Sequence, residues 1–266
     1  MGSGFHHEAI FYGTDGEYLA GLLPDLRVAT TALVAVSEEK AALLRAALGA
    51  DADRVRFTDM EALGRNPGCI IPAWREFLAD AGPGPVLGIG EPVWPGRSAA
   101  ELDECQRHES LLNLAFDGGA PWRLLCPYDV QRLSPDVVAD ARRTHPHTSD
   151  GPSRDYRSAP AWDDALSEPA TRPAEFVFGR GELALVRRFV AAGAALTGRR
   201  GDDLVLAVNE LAANTMRHGA GRERAPDRKG RGRGLLLVNH LCDLVQLRSS
   251  PAGTVVRLHM SLDRAG

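Results

Sequence analysis

Thr31-Ala-Leu-Val-Ala-Val-Ser-Glu-Glu-Lys-Ala-Ala-Leu-Leu-Arg-Ala-Ala-Leu-Gly49 sets the fold class of the first half of the chain. Thr31 to Val36 is a continuous apolar run, expected of a strand buried on both faces of a parallel sheet. Ser37 can cap a helix, Leu43, Leu44 and Leu48 give that helix an apolar stripe, and Gly49 stops it. A strand running straight into a capped helix is the repeating unit of an α/β domain.

The same alternation extends in both directions. Phe5 to Tyr12 reads as a strand, Tyr18 to Leu26 as a helix and Val55 to Phe57 as a short strand. Met60 to Leu63 reads as a helical turn, Asn66-Pro-Gly as a break and Ile70 to Ala79 as a helix around Trp74 and Phe77. Pro85 to Gly90 is a second buried strand, ending at Glu91. Residues 99–116 form a longer helix, with Leu102, Cys105, Leu111, Leu112 and Leu114 expected toward the core. Trp122 to Cys126 is a strand, Pro127-Tyr-Asp a turn, and Ser134-Pro135 opens a helix with proline at its first position. The expectation is an α/β domain with a mainly parallel sheet over residues 1–143. Residues 144–173, rich in Pro, Ser, Asp and Arg, read as a linker to a second domain over 174–266.

A length of 266 residues fits one or two domains. The net charge of −4 argues against direct nucleic-acid binding, although Arg222 to Arg233 form a local basic run. Cys69, Cys105, Cys126 and Cys242 have neither CxxC nor zinc-ligand spacing and read as reduced core thiols. No apolar run reaches the ~18 residues of a membrane helix, so a cytoplasmic protein without membrane contact is expected.

Five further signatures lie in the first half: His7-Glu-Ala with Phe11-Tyr12, Gly64-Arg-Asn-Pro67 with Trp74, and Gly90-Glu-Pro with Trp94. Glu109 with Leu112-Asn113 and Leu125-Cys-Pro-Tyr-Asp129 complete the set. Together they resemble the MEDS sensory domain of methanogen and methylotroph regulators. The resemblance implies a RecA-like α/β domain without a working phosphate loop, and no GxxxxGK[ST] occurs here. It also implies a small, apolar sensed ligand. Glu91 follows a strand end, where open α/β sheets gather ligands. His7, Glu91, Trp94, Glu109 and Tyr128 are the expected sensory-pocket residues.

In the second half, Asp203-Leu-Val-Leu-Ala-Val-Asn-Glu-Leu-Ala-Ala-Asn-Thr-Met-Arg-His-Gly219 has Leu204, Val208, Leu211, Ala212 and Thr215 at helical spacing. Glu210, Asn214 and His218 fall at i, i+4 and i+8 on another face, and Gly219 caps the end. Such a wall can orient an attacking hydroxyl with its carboxylate and hold Mg²⁺ with its amide oxygen; it can equally be a polar face in water. Glu-x-x-x-Asn-x-x-x-His-Gly resembles the N box of GHKL ATPases, in the anti-sigma-factor serine kinase branch. Gly230-Arg-Gly-Arg-Gly234 and the helix after it resemble the second glycine box of that group, and Val245 to Met260 its closing hairpin.

This resemblance spans Glu175 to Leu262 and implies a Bergerat-type α+β ATPase domain with a strand at Glu175 to Phe178 and a helix from Gly181 to Leu196. It implies Glu210 as the catalytic base and Asn214 as the Mg²⁺ ligand. His218, Gly219, Gly230, Gly232, Gly234, Leu235 and Thr254 would join Asn214 around ATP.

One part of the pattern is missing. Only ten residues, 220–229, stand where the family has two strands, an Asp-x-Gly-x-Gly adenine box and a lid. A strand alone averages about five to six residues, so the segment is truncated. Loss of the adenine-directed carboxylate removes a contact worth ~1.5–3 kcal/mol, leaving ATP binding impaired.

The leading expectation is a signalling regulator acting through protein contacts with a sigma factor or an anti-anti-sigma-type antagonist, with homodimer formation through an exposed sheet edge. The alternatives are an active ATP-dependent serine/threonine kinase of the antagonist, and a small-molecule sensor with a dimerising C-terminal remnant.

Overall fold

The computed structural model describes residues 4–158, 165–168, 173–218, 233–251 and 253–262. The chain divides into two compact units, Met1–Asp164 and Ala165–Gly266.

The first unit alternates as the sequence predicts: β1 (Phe5–Tyr12), α1 (Asp15–Val28), β2 (Thr31–Val36), α2 (Glu38–Leu48), β3 (Val55–Asp59), α3 (Met60–Leu63) and α4 (Ile70–Ala79). There follow β4 (Val86–Gly90), α5 (Ala99–Ala115), β5 (Trp122–Asp129), α6 (Pro135–Thr144), β6 (His147–Thr148) and β7 (Gly151–Pro152). Seven strands form one sheet in the order β3-β2-β4-β5-β1-β6-β7, and every pair is parallel except β6 with β7.

Each helix start has a local cause. Ser37 accepts a hydrogen bond from the Lys40 N–H at the head of α2, and Gly49, with φ +58°, ends that helix in a conformation favouring glycine. Ser98 and Glu101 make a reciprocal capping box on α5, and Ser134 caps α6 ahead of Pro135.

Alternate strand residues serve two cores. One face carries Leu33, Ala35, Leu124, Cys126 and Tyr128 against Met60, Trp74, Phe77 and Leu112. The other carries Ile10, Val34, Val36, Ile89 and Leu125 against Tyr18, Leu22, Leu26 and Leu44. Glycine at 88 lets the Trp74 indole lie on the sheet, because an added Cβ there would stand 3.0 Å from the ring.

Three expectations for this unit are corrected. Pro127-Tyr-Asp is not a turn: β5 continues to Asp129. The ladder to β4 ends at Leu125, so Pro127 sits where β5 has β1 as its strand neighbour, and a missing N–H is tolerated there. Leu114 is exposed, whereas Glu104, Gln106, His108 and Glu109 of α5 are buried. Residues 147–152, expected in the linker, extend the sheet.

The second unit contains α7 (Leu183–Gly193), α8 (Gly198–His218), α9 (Arg233–Leu241) and an antiparallel hairpin of β8 (Leu244–Ser250) and β9 (Gly253–His259). Ala207, Val238, Cys242 and Val245 form its buried core. On α8 the buried positions are Ala207, Ala212 and Ala213, while Thr215 is exposed, so the packed face is rotated from the predicted stripe. The helix packs on both α7 and α9, and small alanines suit close approach from two sides. The strand expected at Glu175 to Phe178 does not form; these residues lie outside regular structure.

Candidate functional site

Because the main strands are parallel, their C-terminal ends share one edge, and a cleft of about 350 Å³ opens there. It is lined by Tyr12 at the end of β1, Ser37 and Lys40 at the head of α2, Asp59 at the end of β3, Glu91 and Trp94 after β4, Asp129 at the end of β5 and Arg132 beyond it. Six carboxylates (Glu38, Glu39, Asp59, Glu61, Glu91 and Asp129) face two bases (Lys40 and Arg132), so the cleft is acidic and unsuited to phosphate.

The Tyr12 hydroxyl donates to Glu91 Oε1 at 2.6 Å. Burial pushes the Glu91 carboxyl up to about 7, more strongly than the Tyr12 hydrogen bond and the nearby Lys40 charge lower it. The Tyr12 phenol is in turn held far above its ordinary range by burial and by Glu91. Lys40 Nζ lies 4.9 Å from the Tyr12 ring centroid and 2.9 Å from Asp15 Oδ1.

Arg97 fixes the Glu91-to-Arg97 loop. Its guanidinium donates to the carbonyls of Pro92 at 2.7 Å and Gly64 at 2.5 Å, and stacks 3.5 Å from the Trp94 ring centroid.

The five residues expected in one sensory pocket separate into two groups. Glu91 and Trp94 line the cleft, whereas His7, Glu109 and Tyr128 are buried between α5, α6 and the sheet face. In that interior, His7 Nε2 lies 3.0 Å and His145 Nε2 3.2 Å from the same Glu109 Oε2. Cys126 Sγ lies 3.4 Å from both His7 Nε2 and Glu109 Oε2. Tyr128 closes one side, its ring edge-on to His145 with centroids 5.5 Å apart.

Burial, with His145 alongside, pushes His7 down to about 4 despite Glu109. Burial and Glu109 together raise the Cys126 thiol far above its usual value.

Cys126 falls within the Leu125-to-Asp129 signature but reads from the sequence as a core thiol, and His145 falls in the expected linker. Cys126 shares its strand face with Leu124 and Tyr128, which makes it look like core. His145 follows α6 as its C-cap, a position without a motif of its own.

In the second unit, α8 places Glu210 and Asn214 one turn apart, both half-buried. Gly234 comes against them: an added Cβ would stand 3.1 Å from Glu210 Oε2 and 3.1 Å from Asn214 Nδ2. Leu235 is half-buried beside it, and Thr254 is exposed on β9, bonded to Ser249 Oγ at 3.0 Å. Gly219, Gly230, Gly232 and the His218 side chain lie outside the described residues.

Among the described residues no helix is long and apolar enough to cross a membrane. Comparison with curated proteins and with solved structures finds no match. The sequence model of the MEDS family, the MEthanogen/methylotroph, DcmR Sensory domain, matches residues 6–146. That segment carries the parallel strands β2 to β5 and nearly all of β1, the cleft and the buried Glu109 cluster, and spans just over half the chain; the protein belongs to the MEDS family.

Proposed function

We propose that this chain is a signalling regulator whose first unit senses a small organic molecule at the C-terminal edge of its sheet. The observation that carries this reading is the Glu91 carboxyl, buried at the cleft floor, bonded to Tyr12 and balanced near neutrality. Such a carboxyl can donate a hydrogen bond when protonated or meet a cation when ionised. Met60, Val93 and Trp94 supply apolar wall beside it. The ligand class is therefore a small molecule with an apolar body and one hydrogen-bonding or cationic head.

The second unit carries the output through protein contacts with a sigma factor or an antagonist protein, or with a second copy of the chain. Leu185, Leu206, Leu237 and Val255 are exposed on its helices and hairpin, apolar surface that suits a partner. ATP binding is impaired in this reading, because the adenine box is missing.

The adjacency of Glu210, Asn214 and Gly234 favours a second reading, an active ATP-dependent serine/threonine kinase using Glu210 as base and Asn214 on Mg²⁺. Calorimetry separates the two. Micromolar Mg-ATP binding lost in Asn214→Ala supports the kinase, and no heat up to millimolar nucleotide supports the binding module.

The sensory reading is tested by a thermal-shift screen of small amines, alcohols and ketones against the full chain and Glu91→Gln. A compound that stabilises the wild type and loses most of that effect in the variant supports the cleft. Equal stabilisation of both proteins, or no stabilising compound, rejects it.

A further inference from the structure

At the centre of the first unit's interior, two imidazole nitrogens and a carboxylate oxygen turn lone pairs toward one another with a single thiol proton among them. His145 Nδ1 lies 2.8 Å from the Ala141 carbonyl oxygen, which can only accept, so Nδ1 carries a proton and the neutral ring has its lone pair on Nε2. His145 Nε2 then offers its lone pair toward Glu109 Oε2, another acceptor, 3.2 Å away and without hydrogen-bond alignment.

His7 repeats the arrangement. Asn113 Nδ2 donates to the Thr144 carbonyl at 2.9 Å, which turns Asn113 Oδ1 toward His7 Nδ1 at 3.0 Å and places the ring proton there. His7 Nε2 is thereby left facing Glu109 Oε2 at 3.0 Å and Cys126 Sγ at 3.4 Å. The lone thiol proton of Cys126 cannot satisfy two imidazole nitrogens and a carboxylate. All four residues are buried, where unpartnered polar groups are costly.

We infer that His7, Glu109, Cys126 and His145 are the four ligands of a divalent transition-metal site, with zinc the fitting ion. The ligand atoms all lie within 4.8 Å of one another. Zn–N and Zn–O bonds of about 2.0–2.1 Å and Zn–S of about 2.3 Å in a tetrahedron require ligand separations of about 3.3–3.6 Å. Four of the six pairs stand at 3.0–3.4 Å and reach that spacing with outward shifts of a few tenths of an ångström, while the pairs of His145 with His7 and Cys126, within 4.8 Å, close inward as the ion draws the ligands together.

Both imidazoles already have the supporting bonds that metal-bound histidines use, with Nδ1–H held by Asn113 and by Ala141. One carboxylate and one thiolate neutralise a dication, so the buried charge balances; the thiol proton leaves to solvent as the metal binds. A pocket of about 280 Å³ lined by His7, Asn113, Pro146 and His147 supplies an approach from the surface. With four protein ligands and no open position, the ion would brace β1, β5, α5 and the end of α6 rather than act on a substrate.

The test uses the full chain, washed with chelator, analysed for zinc and then exchanged with Co²⁺. One ion per chain is expected, with tetrahedral d–d bands and a near-ultraviolet thiolate-to-cobalt charge-transfer band. Cys126→Ser should lose the charge-transfer band. Asn113→Leu should keep it while binding Co²⁺ about 10–100-fold more weakly, as loss of a supporting bond does.

The wild-type spectrum decides even if a core variant fails to fold. No bound ion, or cobalt without the thiolate band, overturns the inference; the latter would indicate a surface site such as the stacked His6 and His147. A band unchanged in Cys126→Ser overturns it equally. None of these outcomes depends on the Glu91 cleft.

Discussion

Tyr12 at the end of β1 and Glu91 after β4, 79 residues apart, meet in a 2.6 Å hydrogen bond with the phenol as donor. β5 lies between their strands in the sheet, so the bond closes across the edge of a neighbour. It is the point at which the parallel topology turns two separate sequence signatures into one cleft floor.

Glu91 should make stability depend on pH. Its folded value of about 7 lies above the ordinary 4.5, so between those values the folded chain holds a proton that the unfolded chain releases. The stabilisation is complete below about 4.5 and is lost as pH rises through about 7, a change on the order of 3 kcal/mol. His7 and His108, both pushed down to about 4 chiefly by burial, act in the opposite sense. The comparison is therefore wild type against Glu91→Gln in urea at pH 5 and pH 8. The variant should gain relative stability at the higher pH, and parallel profiles would show that Glu91 titrates normally.

Trp74→Ala should be among the most damaging single changes in the first unit. The indole is 1% exposed, fills the space above Gly88 and Gly90, and lies 5.9 Å from the Trp122 ring. Truncation of a buried aromatic costs about 3–5 kcal/mol, read from the denaturation midpoint at unchanged m-value. A loss under about 1 kcal/mol would mean that the core collapses into the gap.

Arg97→Lys should loosen the loop at the cleft mouth although the charge is retained. A lysine cannot reach the Pro92 and Gly64 carbonyls together or lie flat on Trp94. The expected result is a loss of about 1–3 kcal/mol with faster proteolysis between Glu91 and Arg97. Wild-type proteolysis in the variant would show that the loop is held by packing alone.

Gly234→Ala should leave the second unit folded, because alanine favours a helix by about 1 kcal/mol over glycine and the crowded atoms are side-chain ends. It should nonetheless displace Glu210 and Asn214, each 3.1 Å from the new methyl. Any heat seen with Mg-ATP should fall in parallel with Asn214→Ala, and nucleotide binding unchanged by both substitutions would remove these residues from a common site.

Periodicity and capping were sufficient to place the helices and the starts of β1 to β5, because each depends on neighbours in the chain, whereas the end of β5 and the short β6 and β7 depend on sheet pairing. The apolar run from Thr31 to Val36 announces burial on both faces, and Ser37 and Ser134 announce helix starts within four residues of what they cap. The family signatures led to one expected pocket of His7, Glu91, Trp94, Glu109 and Tyr128. Their division between an acidic cleft and a buried cluster came only with the sheet order, since strand register determines which side chains share a face. The same holds for Cys126, read from the sequence as a core thiol, and for His145, read as linker, both brought to Glu109 by β5 and the end of α6. Local chemistry is written along the chain, whereas the meeting of four ligand atoms within 4.8 Å is a property of how distant segments pack.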